Sequence, residues 1–287
     1  MRFAISTAFL PADQLLDIAR AADALGYHAL TMPDHILDLE QLETPYPYTP
    51  DGARRWDFSA EWPDPWVLIG ALSAVTTRIR FFTSVYVPSI RNPFQVAKSV
   101  GTAAVLSGNR VGLGVGIGWC REEFALLEQD FHTRGRRTDE ALELMKALWQ
   151  PGWTSFDGEF YQAPRMVMEP SPTADIPVFV GGLSEVAFRR AARHQGWVGD
   201  LYPIDEAGRH AARLAEIRAE TGATGDFSVI TALTDAFLPE QFARAESLGI
   251  TDVWTMPWAY YYGTDCTREQ RVEGLERFHA DVMVPLG

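Results

Sequence analysis

The chain has 287 residues, with 38 acidic against 25 basic side chains and a formal net charge of −13. That balance excludes binding to nucleic acid or to anionic membranes through a basic patch, although a local backbone site can still take an anionic small ligand. Two distant cysteines, Cys120 and Cys266, give neither a metal-ligand spacing nor a disulfide framework; with no signal-peptide pattern and no apolar run of membrane-spanning length, the expectation is a soluble cytoplasmic protein without a metal site.

In chain order the pattern alternates strand and helix. Arg2 to Phe9 reads as a strand, and Pro11 to Leu25 as a helix stopped by Gly26. His28 to Met32 is a second strand. A segment with Pro45, Pro47 and Pro50 then runs to Trp62, too long for an ordinary connection. Pro65 to Val75 is helical, Ile79 to Val87 a strand, and Pro93 to Leu106 a helix closed by Gly108. Val111 to Ile117 is a glycine-rich strand. Arg121 to Gln129 and Thr138 to Trp149 read as helices separated by an Arg-Gly turn. Pro151 to Asp175, containing FDGEFYQ, reads as a hairpin excursion.

The alternation then resumes. Val178 to Val180, Trp197 to Leu201, Phe227 to Leu233 and Asp252 to Met256 are strands. Ser184 to His194, Glu206 to Glu220, Glu240 to Leu248 and Arg268 to Val284 are the helices between and after them. Eight strand–helix units without a linker predict a single (β/α)8 TIM barrel over residues 1–287, with Ile36 to Glu61 and Pro151 to Asp175 as excursions. An open doubly wound sheet is the alternative, but no glycine-rich turn follows the first strand.

The glycine-rich strand is the most informative stretch. Period-2 alternation puts Gly112, Gly114, Gly116 and Gly118 on one face and Val111, Leu113, Val115 and Ile117 on the other. Either a ligand approaches the backbone on the glycine side or a crowded barrel interior needs small side chains; spacing alone leaves both open. The run is not the GxGxxG dinucleotide fingerprint.

Barrel chemistry sits at the C-terminal strand ends. Strand two ends in Asp34-His35, a pair that can hold a ligand or relay a proton, or can be a loop cap beside an exposed imidazole. The third strand runs into Ser84-Val85-Tyr86 and the fourth into Ile117-Gly118-Trp119. The fifth runs into Gly181-Gly182-Leu183-Ser184, either a phosphate-binding turn at a helix start or a plain turn with a Ser cap. Arg134, Arg136 and Arg137 read as a solvated helix entry pairing Asp139 and Glu140.

Together, TSVYVPSIRNPFQVAKSVGTAAVLSGNR, RVGLGVGIGWCREEF, RGRRTDEALELMKALW, SFDGEFYQ and PVFVGG resemble, in order and spacing, the bacterial luciferase-like flavin and deazaflavin oxidoreductases. The resemblance covers nearly the whole chain and is closest to the branch using the deazaflavin coenzyme F420. It implies that Asp34 and His35 face the cofactor ring, that a non-prolyl cis peptide at Ser84-Val85 supports it, and that Ile117 and Gly118 lie along it. Gly181 and Gly182, extended by Leu183 and Ser184, would receive the phosphate-bearing tail. It also favours a homodimer. Sugar-phosphate dehydrogenase relatives carry a glutamate after the fourth-strand Gly-x-Gly; this chain has Trp119 there, with Glu122 and Glu123 one turn on. That departure points to a wider, more apolar substrate pocket, with Trp62, Trp119, Trp258 and Tyr260 as its candidate aromatic walls.

The resulting expectation is an F420-dependent oxidoreductase acting on a small organic molecule, with His35 as the acid–base residue because imidazole titrates near neutrality. An FMN-dependent luciferase-like monooxygenase is the first alternative. A non-catalytic flavin- or deazaflavin-binding protein is the alternative of another class.

Overall fold

The computed structural model describes residues 1–287. Eight parallel strands close into a barrel: β1 (Arg2–Ser6), β2 (Ala29–Met32), β3 (Arg80–Thr83), β4 (Val111–Val115), β7 (Val178–Gly181), β8 (Gly196–Tyr202), β9 (Ser228–Leu233) and β10 (Asp252–Thr255). Around the barrel β1 is flanked by β2 and β10, and β7 stands diametrically across from β1. The remaining strands, β5 (Thr154–Asp157) and β6 (Gln162–Met166), form the expected antiparallel hairpin. Its tip is held by the Glu140 carboxylate, which accepts the N–H groups of Glu159, Phe160 and Tyr161.

The surrounding helices are α1 (Leu15–Leu25), α2 (Pro65–Ser73), α3 (Pro93–Leu106), α4 (Arg121–Leu126), α5 (Arg134–Trp149), α6 (Glu185–Ala191), α7 (Ile204–Thr221), α8 (Pro239–Ser247), α9 (Ala259–Tyr262) and α10 (Arg268–Phe278). Their starts are legible in the local chemistry. Asp64 and Asn92 accept first-turn N–H groups, and each precedes a proline at the first helical position. Gly26, at φ 83°, ends α1 in the left-handed conformation that a side chain disfavours. No helix is long and apolar enough to cross a membrane.

The main core lies between barrel and helices, where outward residues such as Leu30, Phe81, Leu113, Val178 and Trp197 meet the helices' apolar faces. Parallel strands covered this way are buried on both sides. Inside the barrel Ala4, Ala29, Phe82, Val198 and Ile230 form a second, smaller cluster. The glycine face of β4 points into that interior. A Cβ on Gly112 would stand 2.8 Å from the Phe179 ring, and one on Gly114 would stand 1.8 Å from the Thr83 carbonyl oxygen. Crowding by the neighbouring strands, rather than a ligand, therefore accounts for these two glycines.

Two boundaries differ from the sequence reading. The Arg134–Arg137 run is the first turn of α5 rather than a turn between helices. Arg137 is buried there and donates to Thr133, Gln129 and the Asp130 carbonyl, while Asp139 pairs with Arg190 and Arg193 from α6 and the residues beyond it. The expected pairing of these arginines with Asp139 and Glu140 is thereby corrected. Strand β3 stops at Thr83; the cis peptide Ser84-Val85 follows, and Tyr86 rejoins β4 by a bridge to Val115.

Candidate active site

At the C-terminal end of the barrel the strand ends enclose a cavity of about 1170 Å³. The excursion between β2 and α2 forms its roof. That segment has no helix or strand of its own and is fastened by ion pairs. Arg55 makes a two-pronged contact with Asp200 on β8, both hydrogen bonds at 2.7 Å. Arg54 pairs with Asp38, which also accepts the Trp56 indole N–H at 2.9 Å. Glu122 accepts the N–H groups of Glu43 and Thr44. These contacts, with the packed rings of Tyr46, Trp56 and Trp62, fold the long segment over the barrel mouth.

Asp34 and His35 do different things. The Asp34 carboxylate is buried and saturated: Arg91 grips it with two hydrogen bonds of 2.7 Å, and the Val87 N–H donates at 3.0 Å. Burial raises its carboxyl above the ordinary value, with Arg91 and the Val87 N–H opposing. With Arg91 also donating to the Val87 carbonyl, Asp34 fixes the loop that follows Ser84-Val85, and its carboxylate oxygens are already engaged where it borders the cavity. His35 lies against three indoles, those of Trp62, Trp56 and Trp119, with ring centroids 5.0, 5.2 and 6.0 Å away. Its Nδ1 is 3.7 Å from Glu123 Oε2.

Glu123 is the acid that spacing did not reveal. Trp119 occupies the position after the fourth-strand Gly-x-Gly, but α4 turns Glu123 back toward His35. The carboxylate is buried, and its other oxygen accepts the Ile36 N–H at 2.9 Å. Burial alone would raise the Glu123 carboxyl; the contacts with His35 and the Ile36 N–H outweigh it and hold the group below its ordinary value. The pair can therefore keep a charge on Glu123 and exchange a proton at His35.

One wall is built by Ser84, Val85, Gly116, Ile117 and Gly118. Hydrogen bonds from the Tyr86 N–H to the Gly114 carbonyl and from the Gly116 N–H to the Tyr86 carbonyl, both 2.8 Å, lock the third and fourth strand ends together. A Cβ on Gly116 would come within 2.6 Å of Val85 Cγ2, so glycine lets that close approach happen. Gly181, Gly182 and Leu183 line the cavity on the β7 side. Gly182 has φ 121°, and its carbonyl accepts the Trp197 indole N–H at 2.8 Å. Ser184 lies outside the lining; its hydroxyl caps α6 by accepting the Ala187 N–H.

Trp62, Trp119 and Tyr260 line the cavity as expected of aromatic walls, whereas Trp258 does not. Only 1% of Trp258 is exposed, and the placement in the pocket is corrected: its backbone and Cβ press on Gly274 of α10, where a Cβ would be 2.4 Å from Trp258 Cα. The tryptophan that does face the cavity from the last strand is Trp254. The indole N–H groups of Trp62 and Trp254 are buried without an acceptor in the chain. A flat heterocycle fits such a cavity, with glycine-backed strand ends beneath it.

A family model described as luciferase-like monooxygenase matches residues 2–237. An uncharacterised protein of Mycobacterium tuberculosis is 39% identical over 287 residues, covering 99% of both chains. An F420-dependent glucose-6-phosphate dehydrogenase of Nocardia farcinica is 32% identical over 185 residues, 63% of this chain and 50% of that protein. Among solved structures, the F420-dependent tetrahydromethanopterin reductase of Methanopyrus kandleri superposes with a TM-score of 0.75 at 12% identity, covering 100% of this chain and 99% of that one. A monooxygenase of Streptomyces bottropensis gives 0.77 at 16% identity, with both chains fully covered (100% each). At these identities the two superpositions speak for the barrel alone.

Proposed function

We propose that this chain, which belongs to the luciferase-like monooxygenase family, is an F420-dependent oxidoreductase moving a hydride between the deazaflavin and a small organic substrate. The observation that carries this reading is the His35–Glu123 pair, set among three indoles beside the ring-sized wall of Ser84, Val85, Ile117 and Gly118. The F420-dependent relative supports it. When bound, the deazaflavin supplies a two-electron hydride carrier.

The chain's own residues do the rest. Val85, Ile117 and Gly118 would hold the ring, with the Arg91–Asp34 pair bracing the loop beneath them. Gly181, Gly182 and Leu183 would receive the tail, with Ser184 setting the start of α6 behind it. The roof and its tryptophans exclude water from the reacting atoms. His35 donates or accepts the proton that must accompany hydride transfer, and Glu123 steadies the imidazolium while it exists.

Thermal-shift titration against F420, FMN, FAD and NADPH tests the assignment. F420 is expected to raise the melting temperature with the logarithm of its concentration, and the others to do so only at far higher excess. FMN outranking F420 would transfer the site to flavin and oxygen chemistry. Stabilisation by none of the four would remove the cofactor reading altogether.

A further inference from the structure

The ionisable side chains lining the cavity are almost all answered from within the chain. Arg54 has Asp38, Arg55 has Asp200, Asp34 has Arg91, and His35 has Glu123. Asp57, Glu61 and Asp265 are exposed and hydrated. Arg271 is different. Only 7% of it is exposed, and it forms no salt bridge; its guanidinium donates through Nη1 to the Gln14 side chain at 2.5 Å, and Nε is buried with no acceptor. Arg271 also lies in the first turn of α10, where the helix dipole disfavours a cation. A buried guanidinium without a carboxylate is costly, and in native proteins such a group is paired or coordinates something.

We infer that Arg271, with Gln14 beside it, is the anchor for a carboxylate on the substrate. This rests on the reading of the cavity as an oxidoreductase site, and it adds the substrate's chemical class. The geometry separates this anchor from the cofactor tail. Arg271, in the helix after β10 and bonded to Gln14 after β1, stands on the β1–β10 side of the cavity, while Gly181, at the end of β7, and Gly182 after it lie across the barrel from β1. A single guanidinium matches a monoanion, and its planar fork suits a carboxylate's two oxygens. A dianionic phosphate would call for a second cation, and Arg54 and Arg55, the cavity's other guanidinium groups, already hold Asp38 and Asp200. The substrate is thus an organic acid whose carboxylate is fixed at the β1–β10 side, with its reacting carbon directed toward His35 and the ring wall.

The test uses calorimetric titration of the whole protein, with and without saturating F420. The probes are a panel of aliphatic and aryl monocarboxylic acids, their primary amides, and phenyl phosphate. At least one acid is expected to bind wild type about 10- to 100-fold more tightly than its amide, and Arg271→Gln is expected to erase that preference. F420 affinity in Arg271→Gln should match wild type, so a loss of F420 binding by both proteins would fault the cofactor reading and not this one. Without ligand, the melting temperature of Arg271→Gln should equal or exceed that of wild type, because an unanswered charge has been removed. A drop of several degrees would make Arg271 a structural residue and overturn the proposal. So would an acid preference that survives in Arg271→Gln, the absence of any acid preferred over its amide by wild type, or tighter binding of phenyl phosphate than of every acid.

Discussion

At the N-terminal end of the barrel, the Asp23 carboxylate accepts the N–H groups of Thr77, Arg78 and Ile79 at 2.8, 2.8 and 2.6 Å, sewing α1 to the turn before β3. Arg2 likewise reaches Asp252 and Ser228 at the starts of β10 and β9. At the C-terminal end the Nε of a buried guanidinium and two indole N–H groups lack acceptors beside a large cavity. The same strands thus end in closed polar circuits on one side and in open ones on the other. Buried polar groups are almost always satisfied within the chain, so the open ones that border the cavity are candidates for completion by a bound molecule.

The largest effect should come from His35, where the comparison is most easily broken. His35→Ala is expected to leave F420 affinity within a few-fold and to slow hydride transfer by about two to four orders of magnitude. Stopped-flow recording of deazaflavin absorbance, with an acid substrate found by the titrations above, measures this. Near-normal transfer would move the proton to water or to Tyr260 and cancel the catalytic assignment.

Asp23 should show the converse, a stability effect without a functional one. Asp23→Ala strands three backbone donors, and a loss of about 3 kcal/mol in unfolding free energy is expected, with cofactor affinity intact. Burial raises the Asp23 carboxyl, but the backbone hydrogen bonds from Ile79, Thr77 and Arg78 prevail and hold it below the ordinary 3.8. A carboxyl lowered on folding stabilises above its unfolded value and loses that contribution as pH falls through the folded one. In denaturant melts the gap between wild type and Asp23→Ala should therefore be full at neutral pH and narrow as pH falls below the ordinary 3.8. Parallel curves across that range would refute the circuit.

How much of this could be read from the residues also divides by end and by distance. Periodicity and caps carried the barrel, its eight strands and the hairpin, because those signals are local. The strand-end residues Asp34, His35, Ser84, Val85, Ile117 and Gly118 were legible for the same reason, and all six line one cavity. Glu123, Trp254 and Arg271 were not, since each matters only through a neighbour far away in sequence: His35, the barrel interior and Gln14. Trp258 misled because an aromatic run after a strand looks the same whether it faces a cavity or a helix. The overlooked clue was Gly274 within α10, where only a missing side chain lets Trp258 approach.

Glu123→Gln should fall next in size. Gln keeps an acceptor for the Ile36 N–H and loses the charge beside His35, so turnover is expected to drop about tenfold with fold and F420 affinity preserved. Single-turnover traces of this variant beside His35→Ala, and of the double variant, decide whether the two residues act together. If the double variant is slower than His35→Ala by the full Glu123 factor, the pair does not act as one.

The smallest expected effect is at the roof, where Glu122 holds the Glu43 and Thr44 N–H groups at 2.8 and 2.9 Å. Burial is the largest single influence and raises this carboxyl, but the hydrogen bonds from the Glu122, Thr44 and Glu43 backbone and the Thr44 side chain together outweigh it and hold it down at about 2. The anchor is therefore fully formed from neutral pH down to the ordinary carboxylate range and fails as pH falls through about 2. Glu122→Ala, which removes the acceptor of both N–H groups, should reproduce that failure at neutral pH. Amide hydrogen exchange at residues 43 and 44 is expected to quicken by up to about tenfold, without a measurable change in melting temperature, because the ring packing of Tyr46, Trp56 and Trp62 is left in place. The exchange should stay unchanged at Thr77 to Ile79, whose circuit lies at the opposite end of the barrel. Faster exchange at both ends would mean that the roof and the barrel floor open as one cooperative unit, and the contrast between a closed end built for stability and an open end built for ligands would no longer describe this fold.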